Sequence, residues 1–118
     1  MSPEIGKLLT DILKSIDTIE AHLQNVLSLS VYRDNIMVKD AVERRLAIIG
    51  EALWKADKLD KTLNISSKNK IISLRHIIVH DYDIVEDSAI WIIYKKHLPV
   101  LKNEIQTILD TSKNNIIG

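Results

Sequence analysis

The stretch that decides the fold class is residues 2–27, SPEIGKLLTDILKSIDTIEAHLQNVL. It opens with Ser2, Pro3 and Glu4, a combination typical of a helix start, because serine caps free amides and proline suits the first turn. Apolar residues then recur at intervals of three and four, the period of one helix face. They are Ile5, Leu8, Leu9, Ile12, Ile16, Ile19, Leu23, Val26 and Leu27. The pattern predicts one long amphipathic helix.

A second helix is predicted from Asp34 or Asn35 to about Leu59. Its predicted inward-facing residues are Ile36, Val42, Leu46, Ile49, Leu53 and Ala56. Gly50 lies inside this helix, where glycine costs about 1 kcal/mol relative to alanine. Close approach of another helix would explain a glycine at this position.

The polar run 60–67 breaks the helical period and is expected to be a surface loop in which Ser66 or Ser67 caps the next helix. A third, shorter helix is predicted from Lys68 to Val79. The loop is too short and too tightly placed between helices to be a domain linker.

A last helix is predicted from residues 86–88 to about Asp110, with an apolar stripe of Ile90, Ile93, Tyr94, Leu98, Leu101, Ile105 and Ile108. Pro99 lies inside it and should kink rather than end it, since proline removes one backbone donor. Residues 111–118 are expected to fray. The chain is thus predicted to be a single all-α domain over residues 1–118, an up-and-down bundle of four to five helices.

Composition limits the classes of function. A chain of 118 residues with 46% hydrophobic content can form one core. Sixteen basic residues balance sixteen acidic ones, so RNA could be bound only by a local patch. The absence of cysteine excludes disulfides, a thiolate nucleophile and cysteine-ligated zinc. Without a signal-like leader or a membrane-spanning run, a cytoplasmic protein that does not associate with membranes is expected.

The segment RHIIVHDY, residues 75–82, places polar groups in an apolar helical run. Arg75 offers a permanent planar charge suited to phosphate oxygens, and His80 can move a proton near neutral pH. Tyr82 could hydrogen-bond a phosphate, stack on a base or be modified. In a straight helix, however, Arg75 and His80 diverge by about 140°. A second copy of the chain could bring them to one phosphate.

Structural roles for the same residues remain open. His80 could satisfy helix-end carbonyls, and Arg75 could pair with Glu51 or Asp81. Glu51 could be a plain surface carboxylate or could orient Arg75 or a histidine. His76 and His80 are spaced for a shared metal, but no third ligand accompanies them, so no metal or other cofactor is expected.

Four further residues are predicted to have no role in a site. Trp54 and Trp91 are expected to pack, because helical tryptophans are usually core or interface anchors. His22 and His97 are expected to be ordinary surface or boundary residues.

These patterns resemble the HEPN domains, and within them the HepT-like toxins of toxin–antitoxin pairs. The resemblance covers most of the chain and rests on three segments: Arg75-x4-His80-x-Tyr82 with the polar His76 after the arginine, DAVERRLAIIGEA at 40–52, and Trp91 followed by LPVL at 98–101.

The resemblance implies a helical bundle that dimerises, placing two copies of the motif in one cleft, and a metal-independent endoribonuclease activity. Two His80 side chains would share the base and acid roles, and Arg75 would steady phosphate charge. His76, Tyr82 and Glu51 would support RNA binding.

The resemblance also implies a partner, an MNT-type nucleotidyltransferase antitoxin that can adenylylate Tyr82. The cleft would draw its positive charge from Lys68, Lys70, Arg75 and the histidines.

Two other classes of function compete with the ribonuclease. One is a noncatalytic helical module that binds a nucleotide or a partner and acts with a nucleotidyltransferase. The other is a helical scaffold in which the polar cluster is purely structural.

Overall fold

The computed structural model of the chain describes the backbone of residues 1–80 and 86–117, with the side chains of these residues except 77, 79, 80 and 113–117. The helices are α1 (Pro3–Leu23), α2 (Leu29–Arg33), α3 (Ile36–Leu59), α4 (Lys68–His80), α5 (Asp87–Ile92) and α6 (Leu98–Ile117), with a π-helical segment, Ile93–His97, between α5 and α6. The all-α prediction is confirmed.

Helix α1 begins as predicted. The Ser2 hydroxyl accepts a hydrogen bond from the Ile5 amide at 3.2 Å, and Pro3 occupies the first turn. The apolar stripe is buried as far as Leu23, where the helix ends. Leu27 lies beyond that end and is 83% exposed. Its predicted place on the stripe was therefore wrong, because the helical period no longer applies after Leu23.

Helix α2 was not predicted, because five residues are too few to establish a helical period. Ser28 caps it by accepting a hydrogen bond from the Val31 amide at 3.3 Å. Tyr32 is fully buried in the core. This short helix therefore anchors the connection between α1 and α3.

Helix α3 begins after the Asn35 cap, which confirms one of the two predicted starts. The Asn35 side-chain oxygen accepts a hydrogen bond from the Val38 amide at 3.1 Å. Ile36, the first residue of the helix, is 72% exposed, so its predicted inward orientation was wrong. The first buried residue of α3 is Val42, six residues later, where other helices flank it.

The chain remains helical through Pro99, as predicted, but with a change of helix type. A proline ring crowds the carbonyl four residues earlier, here that of Lys95. The wider π-helical segment immediately before α6 makes room for the ring. Helix α6 then continues to Ile117, beyond the predicted end near Asp110.

Helix α3 is central, because α1 packs along one side of it and α4 along another, while α6 packs on α1. The largest fully buried side chains are Tyr32, Leu9, Ile12, Ile16, Ile19, Leu23, Leu46, Ile49, Leu53, Ile71, Ile90 and Leu98. The loop before α4 is tied to α6, since the Ser66 amide donates to Glu104 Oε2 at 3.1 Å. Within the described ranges no helix is both long and apolar enough to span a bilayer.

Candidate functional site

Helices α3 and α4 approach most closely at Gly50. A Cβ atom added to Gly50 would overlap the Cβ of Arg75 and would lie 2.9 Å from its Cγ and 3.1 Å from the backbone oxygen of Ile71. A larger residue would hold the helices apart. The predicted close packing at Gly50 is confirmed, and it places Arg75 against α3.

Arg75 forms an ion pair with Glu51, the residue after the glycine. Its Nη2 lies 2.6 Å from Glu51 Oε2, and the side chains are 26% and 35% exposed. Oε2 is shielded from solvent, and its contact with the guanidinium is an ion pair rather than an aligned hydrogen bond. Lys55 Nζ lies 3.8 Å from the other oxygen, Oε1. The carboxylate therefore restrains the guanidinium from one side.

A groove of about 490 Å³ opens beside this pair, between α1, α3 and α4. It is lined by Leu8, Asp11, Arg44, Ala47, Ile48, Glu51, Ala52, Lys55 and Arg75. Three of these side chains are basic and two are acidic, and Asp11 also pairs with Lys7 at 3.1 Å. A mainly apolar groove whose lining includes three basic side chains suits a phosphodiester whose neighbouring bases need apolar contacts.

Lys68 and Lys70 do not line the groove that holds Arg75, and their contribution to a cleft between two subunits stays a prediction. Lys68 Nζ instead lies 2.6 Å from Asp57 Oδ1. Lys70 Nζ lies 3.4 Å from a histidine ring nitrogen, His97 Nε2. The physical reason is helical geometry: five residues separate Lys70 from Arg75, so they point about 140° apart.

The two histidines outside the motif lie away from this groove. His97 Nδ1 lies 3.2 Å from Ser67 Oγ. Partial burial, together with the charges of Lys70 and Lys96, lowers the pKa of His97 below its usual range, which favours its neutral form. His22 is exposed on α1. Among the described residues, no three histidine, aspartate or glutamate side chains form a group that could hold a metal ion.

The structure brings together two of the predicted site residues, Arg75 and Glu51. His76 is exposed on α4. His80 is the last residue of α4, and its side chain is outside the described set. Tyr82 and the alternative arginine partner, Asp81, also lie outside the described residues. The roles predicted for His80 and Tyr82 therefore remain predictions.

Sequence reasoning missed two groove residues, Arg44 and Lys55. They stand seven residues before and four residues after Glu51, spacings that place all three on one helix face. That signal was present in the sequence. It could not show that this face of α3, rather than another, borders Arg75.

Trp91 packs against the core as predicted, whereas Trp54 is not packed in the core of the chain, and its alternative role as an interface anchor stays a prediction. The ring of Trp91 lies 5.8 Å from that of Tyr32 and 5.4 Å from that of Tyr94, measured between centroids. Trp54 is 42% exposed, and Lys58 Nζ lies 4.2 Å from the centroid of its ring. Trp54 points outward because the buried faces of α3 are already covered by α1 and α4.

Comparison with known proteins gives a family match. The family model described as "Ribonuclease HepT-like" matches residues 12–108, a span that includes Gly50, Glu51 and Arg75. No solved structure gives a significant match to the chain.

Three similar curated proteins come from Methanocaldococcus jannaschii. "Gamma-glutamylcyclotransferase and putative RNase MJ0434" is 31% identical over 98% of this chain and 53% of its own length, so the chain spans about half of that protein. "Putative RNase MJ1380" is 29% identical over 89% of this chain and 96% of its own length. "Putative RNase MJ1216" is 31% identical over 90% of this chain and 88% of its own length.

The fold and the site define an all-α bundle with an arginine–glutamate pair on a mainly apolar groove. The chain belongs to the HepT-like ribonuclease family, which confirms the resemblance drawn from its motifs.

Proposed function

We propose that this protein is a metal-independent endoribonuclease and the toxin of a HEPN/MNT toxin–antitoxin pair. The observation that carries the proposal is the placement of Arg75 on an open groove, in a member of the HepT-like ribonuclease family. Glu51 and Gly50 hold the arginine there. The printed names of the three relatives support the same class of activity.

In the proposed reaction the ribose 2′-hydroxyl is the nucleophile. Its oxygen attacks the adjacent phosphorus, the bond from phosphorus to the 5′-oxygen breaks, and a 2′,3′-cyclic phosphate forms. One group takes the 2′-hydroxyl proton and another gives a proton to the leaving 5′-oxygen. Arg75 stabilises the extra negative charge on the pentacoordinate phosphate.

His80 is the proposed acid–base group, and the site is proposed to form between two subunits. One histidine cannot act as base and acid in the same step, and His80 follows Arg75 by five residues on the same helix. Two copies of the chain would supply two imidazoles to one phosphate. His76 would support RNA binding from the exposed side of α4.

The proposed partner is an MNT-type nucleotidyltransferase that acts on Tyr82. The phenol oxygen would attack the α-phosphate of ATP, forming a Tyr82–AMP ester and releasing pyrophosphate. Each AMP adds bulk and a negative charge, which would repel RNA from a site that depends on Arg75.

The test is RNA cleavage by purified protein that has been kept free of a nucleotidyltransferase. Wild type and His80→Ala are incubated at equal concentration with mixed cellular RNA and excess EDTA, and the new ends are mapped. We expect cleavage by the wild type alone, leaving 2′,3′-cyclic phosphate ends. Intact-mass measurement before the assay shows whether Tyr82 is free of AMP.

Two results would count against the proposal. Equal cleavage by His80→Ala would remove the assigned mechanism. No cleavage by either protein, with Tyr82 unmodified, would favour the noncatalytic module that binds a nucleotidyltransferase. Binding of that partner to the intact chain would then be the property to measure.

A further inference from the structure

Trp54 is an exposed tryptophan on α3. The ring is 42% exposed, and the ammonium of Lys58 lies 4.2 Å from its centroid. An exposed indole has apolar area that a bound ligand can remove from water. The lysine lies over the ring, and the exposed part of the indole is a flat surface that a ligand can contact.

Trp54 lies next to the groove that contains Arg75. Arg44, Glu51 and Lys58 follow one another at seven-residue intervals, so successive members lie within about 20° of one line along α3. This line is about 21 Å long at 1.5 Å per residue. Trp54 is one helical turn from Glu51 on one side and from Lys58 on the other. The backbone of Trp54 is therefore within one helical turn of Glu51, the ion-pair partner of Arg75, although Trp54 itself does not line the groove.

The charges around Trp54 favour a polyanion. Lys58 lies over the ring and Lys55 follows Trp54 in the chain. The nearby Asp57 is engaged by Lys61 at 3.2 Å and Lys68 at 2.6 Å. Lysines are depleted at the centres of protein–protein interfaces, whereas aromatic rings among basic side chains are typical of surfaces that bind single-stranded nucleic acid.

We infer that the exposed face of Trp54, with Lys55 and Lys58, is a nucleobase-stacking subsite that holds a single-stranded nucleotide next to the phosphate bound by Arg75. The inference rests on the proposed ribonuclease function for its substrate. A base can stack on the indole only when it is unpaired, so this subsite favours single strands over duplexes. The lysines hold the phosphates on either side of the stacked base.

The experiment uses a single-stranded oligonucleotide in which every ribose carries a 2′-O-methyl group, because it lacks the nucleophile and cannot be cleaved by the proposed reaction. Trp91→Phe leaves Trp54 as the sole tryptophan and makes its fluorescence a direct reporter. We expect the oligonucleotide to quench this emission and to protect it from acrylamide, while the matching duplex does so weakly. Binding affinity is measured in parallel with Trp91 present.

Trp54→Ala is expected to weaken single-strand binding by about 5- to 100-fold, the range found for removal of a base-stacking ring. Trp54→Tyr keeps a stacking face and should retain most of the affinity. Leu59→Ala removes another exposed apolar side chain of α3 and is the matched control. Circular dichroism checks that each variant folds.

The outcomes separate this inference from the proposed function. Unchanged affinity in Trp54→Ala, with Trp54 still accessible to acrylamide, would overturn the subsite even if unmodified RNA is cleaved. The subsite would also be overturned if the fluorescence of Trp54 changed when the protein was diluted but not when RNA was added. That result would place Trp54 between two copies of the chain. Loss of binding in Trp54→Ala, without any cleavage of unmodified RNA, would support the subsite and reject the ribonuclease.

Discussion

The Cβ atom of Arg75 occupies the space that a side chain at Gly50 would need. The glycine and the arginine therefore depend on each other: the missing side chain on α3 lets α4 approach, and this approach delivers the guanidinium to Glu51 and the groove. A residue that looks unfavourable within α3 thus has its explanation in the neighbouring helix.

Gly50→Ala is expected to lower the free energy of unfolding by about 1–3 kcal/mol, because the added methyl group must push α4 away. The rate of RNA cleavage should also fall, because Arg75 moves relative to Glu51. Denaturant unfolding and cleavage rates measure the two effects.

The control for this substitution is Gly6→Ala. Gly6 is also inside a helix, but a Cβ there would meet nothing closer than Met1 Cε at 3.8 Å. Alanine should therefore stabilise α1 by up to about 1 kcal/mol through its higher helix propensity. Equal effects at the two glycines would contradict the close approach at Gly50.

Substitutions at the Arg75–Glu51 pair should affect folding stability and RNA cleavage differently. Arg75→Ala removes the nearer cation from the shielded Oε2 of Glu51 and leaves only Lys55, 3.8 Å from the other oxygen, which should cost about 1–3 kcal/mol of folding free energy. The double variant Arg75→Ala/Glu51→Gln removes that charge and should recover most of the loss in stability, yet remain inactive on RNA.

Arg75→Lys tests the chemical part of this prediction. Lysine keeps the positive charge but loses the planar group with several donors, so cleavage should fall by about 10²-fold while the fold persists. Cleavage assays and thermal melts on the same preparations distinguish the two properties. Full activity of the lysine variant would show that charge alone is sufficient.

Sequence reasoning predicted the elements whose signals are local. Ser2 and Pro3 marked the start of α1, and Asn35 marked that of α3, because caps act over three residues. It failed where the outcome depends on distant neighbours. Ile36 and Trp54 have the apolar character expected of packed residues, but against the described part of the chain they remain 72% and 42% exposed.

The candidate site was predictable in its residue types and only partly in its contacts. Arg75 and Glu51 were named as possible partners, and the spacing of Arg44 and Lys55 was visible. Which face of α3 would meet α4 depends on how the two helices rotate against each other, and this is set by the packing at Gly50. Local patterns carry no information on that rotation.

Stability should depend on pH through Glu43. Burial, and secondarily the charge of Asp40, raises the pKa of Glu43 above its ordinary value of 4.5. A raised carboxyl pKa means that the folded state favours the protonated form. Its contribution to stability is complete below pH 4.5 and is lost as the pH rises through the folded-state pKa.

Glu43→Gln should therefore raise the melting temperature at pH 7 and change it little at pH 4. Glu4→Gln is the control, because Glu4 is exposed in the first turn of α1, where a negative charge is favourable. Thermal melts of both variants across this pH range make the comparison. Destabilisation by Glu43→Gln at pH 7 would mean that its carboxylate has a favourable ionic partner in the folded protein.

Mixing subunits tests whether one site needs two copies of His80. Wild type and His80→Ala are unfolded together in varied ratios and refolded at constant total concentration, so that subunits pair at random. If each site needs an intact His80 from both chains, activity should follow the square of the wild-type fraction, and an equal mixture should retain about one quarter. A chain that acts alone would instead give activity proportional to that fraction, because a single general base and acid on one subunit would then suffice.

The control for dilution is wild type refolded with buffer in place of the variant. Light scattering of each mixture measures how much dimer has formed. Activity that depends linearly on the wild-type fraction in dimeric mixtures would contradict the composite site. The proton given to the 5′-oxygen would then have to come from a group other than a second His80. His76, on the exposed side of α4, is the nearest candidate in sequence.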